Sequence, residues 1–329
     1  MSPINFLLGK YIKRPKVIRD AGFTMAELLV ASIMAVLVIT PILGFMVNLL
    51  NTDRQEQAKA SSEQEIQSAM DYITRDLQQA IYIYDAVGID AIKAELPSPT
   101  ATDRAPVLVF WKREFLSDVL TAADNTKDDT FVYSLVAYYL IKDNSNTWSN
   151  AARIVRWQIR DGVGVTTGVD CPGYDGKYVS GYCPSSGYAP FSLEGVGTIE
   201  QKMNKWKRLS SYTYKDKDDN EATQIVNLPS SVVLTDYIDQ TTTTNGAPGE
   251  EACVTGKKVT PASFTGRTTS EMTSFYACVD IVRNSAQVFL RGNALARVEN
   301  SNIDYSSDKN NYFPTTTVRV EGRGSLFTE

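Results

Sequence analysis

The sequence predicts an α+β protein, with a long N-terminal helix, half membrane-spanning and half amphipathic, packed on an antiparallel β-sheet body with loop insertions. Three observations lead there. Residues 28–50 carry no charged side chain, an apolar stripe at helical spacing follows to residue 84, and short Val-, Ile-, Tyr- and Phe-rich segments fill the chain beyond Gly88. Strands that follow one long helix indicate segregated helical and sheet layers. The expected division is a basic segment over 1–22, a membrane-spanning helix over 23–50, an amphipathic continuation over 51–84, and a sheet domain over 85–329.

The first segment is set apart by charge. Lys10, Lys13, Arg14, Lys16 and Arg19 stand against Asp20 alone, so residues 1–22 sum to +4, whereas the whole chain carries −5 and the remainder therefore −9. A basic flank before an apolar run fits a cytoplasmic start and a body across the membrane. The acidic remainder argues against nucleic-acid binding.

The run "LLVASIMAVLVITPILGFMVNLL" (28–50) is 23 residues long, about 35 Å as a helix, against a hydrocarbon core of about 30 Å. It exceeds the apolar core of a secretory signal peptide, roughly 7–15 residues. A plain membrane anchor fits its length but leaves Glu27, at its start, without a role. A carboxylate near the bilayer centre costs about 2.5–3.5 kcal/mol on insertion scales, so such residues usually serve a function. Pro41 and Gly44 are helix breakers inside the run; neighbouring helices can satisfy the backbone groups they free.

After Asn51 the chain turns polar, with apolar residues at Ile66, Met70, Ile73, Leu77, Ile81 and Tyr84. These steps of three and four define a one-sided helical face. The helix is expected to run from Phe23 to Tyr84.

Strands are expected at 107–112, 131–141, 152–160, 231–238, 274–282 and 286–292, each bounded by Asn, Asp, Gly or Ser. The pairs within 131–160 and 274–292 read as antiparallel hairpins. Residues 161–200 are a Gly-, Pro- and Tyr-rich insertion, and "QTTTTNGAPGEE" (240–251) reads as a mobile loop. Cys171, Cys183, Cys253 and Cys278 form no C-x-x-C pair, so a zinc or thioredoxin-like reading is weak. An even count outside the cytoplasm favours disulfides. Three pairings are open; sequence order favours Cys171–Cys183 and Cys253–Cys278, with free buried thiols as the alternative.

Chemistry is sparse. The chain has no histidine, which removes Ser-His-Asp and Cys-His sites and any His-bearing zinc site. Nothing places two carboxyl groups at the spacing that glycoside hydrolysis needs, so no enzyme is expected and no cofactor. Two acidic clusters, 124–129 and 215–221, are candidate calcium sites through groups such as Asp216, Asp218 and Asp219. They lack the spacing of an EF-hand loop and read more simply as solvated loop tips. Seventeen tyrosines and four tryptophans are mostly sheet core, with a saccharide-stacking surface as the sharper alternative.

Gly22-Phe23-Thr24 with Glu27 three residues on, behind a basic segment and ahead of a long apolar run, resembles the N-terminus of type IV prepilins. The resemblance implies cleavage between Gly22 and Phe23 by a prepilin peptidase, N-methylation of Phe23, and pairing of Glu27 with the Phe23 amine of a neighbouring subunit. It also implies local melting near Pro41 and Gly44 as the filament packs. Partners follow: other pilins, an inner-membrane platform protein and an assembly ATPase. The chain would cross the inner membrane once, N-terminus cytoplasmic and body periplasmic, before entering a filament at the cell surface.

The resemblance rests on motif over 14–50, on helical pattern to about 84, and on architecture alone beyond. There the order of elements is similar to J-type pseudopilins of type II secretion and PilW-like minor pilins. "KYIKRPKVIRDAGFTMAELLVASI", "DYITRDLQQAIYIYDA" and "FYACVDIVRNSAQVFLRGNALARVEN" resemble cyanobacterial pseudopilins of hormogonium polysaccharide secretion, which implies polysaccharide export and gliding motility. A minor pilin with an adhesive tip, and an unprocessed tethered periplasmic protein, are the alternatives.

Overall fold

The computed structural model describes residues 23–122, 124, 126–215, 220–324 and 326. The leader with Gly22, and the calcium candidates Asp216, Asp218 and Asp219, lie outside the described residues. The chain divides into two compact units, the boundary falling between Asp53 and Arg54.

The first unit holds the apolar part of α1 (Met25–Gln78). Every described residue of 23–50 is exposed. A helix that is apolar all round is stable only where something other than water surrounds it. Its hydroxyls are satisfied internally: Ser32 Oγ donates to the Leu29 carbonyl (2.8 Å), and Thr40 Oγ1 to that of Val36 (2.8 Å). That is a requirement in an apolar medium. The helix continues unbroken through Pro41 and Gly44. Proline has no N–H, so the Leu37 carbonyl loses its usual partner one turn on.

The second unit is built on the rest of α1. Ile66, Ala69, Met70, Ile73 and Leu77 form its buried face, as the stripe predicts, but the helix stops at Gln78 rather than at Tyr84. Ala80–Ile83 is instead β1, with Ile83 opposite Phe110 and Tyr82 opposite Trp111. The sequence "AIYIY" satisfies both periods. Its β-branched and aromatic side chains gain more from full burial against a partner strand than from another helical turn.

The chain continues through α2 (Ala86–Ile92), β2 (Arg104–Thr121), β3 (Lys127–Ile141), β4 (Ala152–Arg160), the short β5 (Gly164–Val165) and β6 (Lys177–Tyr178), and α3 (Ile199–Met203). It then forms β7 (Ser211–Lys215), β8 (Glu221–Ile225), β9 (Val232–Ile238), β10 (Lys257–Val259), β11 (Phe275–Asp280), β12 (Ser285–Arg291) and β13 (Thr315–Glu321). Two principal sheets result, ordered β1-β2-β3-β4-β9 and β10-β11-β12-β13, beside the ribbons β5-β6 and β7-β8. All pairings are antiparallel. The six expected strands and both hairpins are present, and the body is α+β. The division of the strands into two sheets is a finding of the structure.

One continuous core joins the α1 face to both sheets, through Ile73, Leu77, Phe110, Tyr138, Phe275 and Val288 among others. A buried ion network lies under the same helix. Asp76 of α1 accepts hydrogen bonds from Lys112 Nζ on β2 (3.0 Å), Tyr138 OH on β3 (2.6 Å) and Arg156 Nε on β4 (2.7 Å). Three consecutive strands thus converge on one carboxylate of the helix.

Both sequence-adjacent disulfides are present, Cys171–Cys183 and Cys253–Cys278. The first staples the 161–200 insertion. That insertion is not detached from the core: its Tyr188 and Phe191 pack edge-on against Trp111, beside Trp206 from the segment that follows. The 240–251 segment is tied down rather than mobile. Thr241 is fully buried, Thr243 N donates to the Glu271 carbonyl (2.9 Å), and Thr273 Oγ1 to that of Pro248 (2.7 Å).

Candidate assembly interface

The residues singled out around the start of the apolar helix lie at the first turn of α1. Thr24 precedes the helix and Glu27 is its third residue. Thr24 N and Oγ1 both donate to Glu27 Oε2 (3.0 Å each), and Glu27 N donates back to Thr24 Oγ1 (3.2 Å). This is a capping box, which satisfies two orphan N–H groups reciprocally and sets a carboxylate at the positive end of the helix dipole. The signature T-x-x-E ahead of an apolar run was legible in the sequence.

The geometry gives Glu27 a local partner within its own chain. Only Oε2 takes part; Oε1 has no hydrogen bond among the described residues and can accept from a neighbouring cation. Phe23, fully outside the helical ladder, is 83% exposed. The cap therefore orients the carboxylate without using up its capacity.

Gly44 faces open space, with no heavy atom within 4 Å of where a Cβ would stand. It therefore makes no close packing contact within the chain, and glycine in an exposed helix interior is about 1 kcal/mol less favourable than alanine.

Two carboxylates of the acidic 124–129 cluster take local hydrogen bonds, each through one oxygen. Asp124 Oδ1 accepts from Thr126 N (3.1 Å) and Oγ1 (2.6 Å), and Asp129 Oδ1 from Asp118 N (3.0 Å). Among the described residues no cluster of three or more metal-ligating side chains occurs. The tryptophans divide three to one: Trp111, Trp157 and Trp206 are core, and Trp148 is exposed.

Among the described residues one helix is long and apolar enough to cross a membrane. With two disulfides, it suits a single-pass or secreted chain whose body lies outside the cytoplasm. A long apolar N-terminal helix packed on antiparallel sheet is compatible with a pilin-like fold. Comparison with protein-family models, curated proteins and solved structures gives no match.

Proposed function

We propose that this chain is a minor pilin or pseudopilin, a non-enzymatic structural subunit of a type IV pilus-like or type II secretion-like filament that supports polysaccharide secretion and gliding motility. The observation that carries the reading is the conjunction at the N-terminus: Gly22-Phe23-Thr24 and Glu27 open an apolar helix with no polar face, and that helix leads into a disulfide-bonded β body. Lateral packing against like helices supplies what such a helix lacks in water. Prepilin peptidase would release Phe23, and a platform protein and ATPase would extrude the subunit from the inner membrane. Work on the exported material belongs to that machine; this chain contributes register and surface.

Deletion in the host, with complementation, tests the functional half. Loss of exported polysaccharide and of gliding, restored by the wild-type chain, is expected. Normal export and gliding in the deletion strain would contradict it.

A further inference from the structure

We infer that the groove between α1 and β9 takes an arginine side chain of an extended partner polypeptide. The cavity there is about 820 Å³, within the roughly 300–1,000 Å³ of ligand sites. Glu65 and Tyr72 of α1 line it on one side, Asp236 and Tyr237 of β9 on the other, and Trp148 of the β3–β4 connection completes it. Tyr72 and Trp148 are 45% and 42% exposed, so both rings are open to a partner from outside.

The lining repeats one arrangement, in which a ring and a carboxylate share a guanidinium. Arg297 lies over the Tyr237 ring, 4.0 Å from its centroid, and its Nη2 donates to Glu65 Oε2. Arg156 lies 5.5 Å from the centroid of Tyr72, and its Nε donates to Asp76 Oδ2 (2.7 Å). Trp148 and Asp236 are a third ring and carboxylate, and their guanidinium is missing. Among the described residues Asp236 forms no ion pair and Trp148 meets no cation. The carboxylate is held instead by neutral donors from the residue after Trp148. Ser149 N donates to Asp236 Oδ2 and Ser149 Oγ to Oδ1, both at 2.9 Å. A carboxylate has about four acceptor positions, so each oxygen keeps one for a second donor.

The charge of the lining sets the ligand class. Its charged residues are Glu65 and Asp236, both acidic. Arg297 matches the first and nothing matches the second, so the groove repels an anion and is completed by a cation. A guanidinium fits better than an ammonium, because its plane stacks on an indole while its N–H fork meets a carboxylate. Tryptophan is the strongest of the aromatic partners for such a cation. The groove far exceeds a guanidinium in size, and the half-buried Val233 and Leu234 beside Asp236 offer apolar cover to the chain that carries it. β9 ends its sheet, and its outer side is bridged only near its C-terminal end, Ile238 to Gly292. Two register shifts against β4 make it a poor template for another regular strand. Recognition therefore falls to side chains, with the arginine as the anchor.

The test titrates the full-length protein in detergent micelles with four pools of nine-residue peptides. Each pool has Arg, Lys, Gln or Glu fixed at the centre and randomised flanks; free arginine is the fifth probe. The arginine pool is expected to bind saturably, at least tenfold tighter than the glutamine pool and severalfold tighter than the lysine pool, with no binding of the glutamate pool. Trp148→Ala and Asp236→Asn each lower arginine-pool affinity at least fivefold with thermal unfolding unchanged, and Val282→Ser, on an exposed turn outside the groove, leaves it unchanged. Equal binding of the arginine and glutamine pools, or arginine binding insensitive to both groove variants, overturns the site. Equal binding of the lysine pool overturns the guanidinium, and equal binding of free arginine overturns the polypeptide. The inference stands on the body alone. A chain processed at Gly22 that binds no arginine peptide overturns this site only, and an unprocessed chain that binds one overturns only the filament reading.

Discussion

Replacing Asp76 by alanine is expected to cost the body about 3–5 kcal/mol, because it strands two buried cations rather than deleting one contact. Lys112 is buried and Arg156 nearly so, and both direct their nitrogens at this carboxylate (3.0 and 2.7 Å) while Tyr138 adds a third donor. Asp76→Asn keeps the shape and one acceptor but not the charge, so it falls between wild type and alanine. Denaturant unfolding of the detergent-solubilised chain measures both.

The same network fixes a pH dependence. Burial alone pushes the Asp76 carboxyl up, but Arg156, Lys112 and the Tyr138 hydroxyl outweigh it and hold the group below its ordinary 3.8. A carboxylate depressed in the folded state stabilises the fold fully above the unfolded value, and loses that contribution as pH falls through the folded one. The stability gap between wild type and Asp76→Asn is therefore expected to be full at pH 7 and to shrink below the ordinary carboxylate range. An equal gap at pH 7 and pH 2 would show that ionisation of Asp76 contributes nothing to the fold.

At Glu27 the capping role and the filament role make opposite predictions for a charge-neutral substitution. As a cap, Glu27 is replaceable by glutamine, whose amide oxygen also closes a capping box; loss of a cap costs only about 1 kcal/mol. As the partner of a neighbour's amine in an apolar filament core, it is not replaceable, since an unpaired buried cation costs about 3–5 kcal/mol. That is a hundredfold or more in association. Under the filament reading Glu27→Gln and Glu27→Ala both leave the chain in the membrane and reduce its recovery with neighbouring pilins at least a hundredfold. Wild-type recovery for Glu27→Gln would reduce Glu27 to its capping role.

How much of this was legible depended on whether the signal was local. The six expected strands between Val107 and Gly292 announce themselves by β-branched and aromatic runs between turn residues, whereas the short or polar β5, β6, β7, β8 and β10 of the same interval do not. β1 did not, because Ile81 and Tyr84 fall on the helical stripe as well as on a strand, and only the partner β2 decides between them. β13 was missed because "TTTVRVE" is mostly polar; it is an edge strand whose outer positions meet water. The Asp76 network could not be read at all, since its partners lie 36, 62 and 80 residues away. The pairing of cysteines followed sequence order, yet the role of Cys253–Cys278 in pinning the 248–253 loop beside Tyr276 needed the register of β11 against β12. The N-terminal motif was wholly local and fully legible, apart from the reciprocal Thr24–Glu27 cap.

The central claim, that the chain is a processed filament subunit, is tested most directly by intact-mass and N-terminal analysis of the protein extracted from membranes of cells with an active prepilin peptidase. The account predicts a mature chain that begins at N-methylated Phe23. A chain that retains Met1 or its leader under those conditions would contradict it, leaving a tethered protein in which Glu27 serves only to cap its own helix.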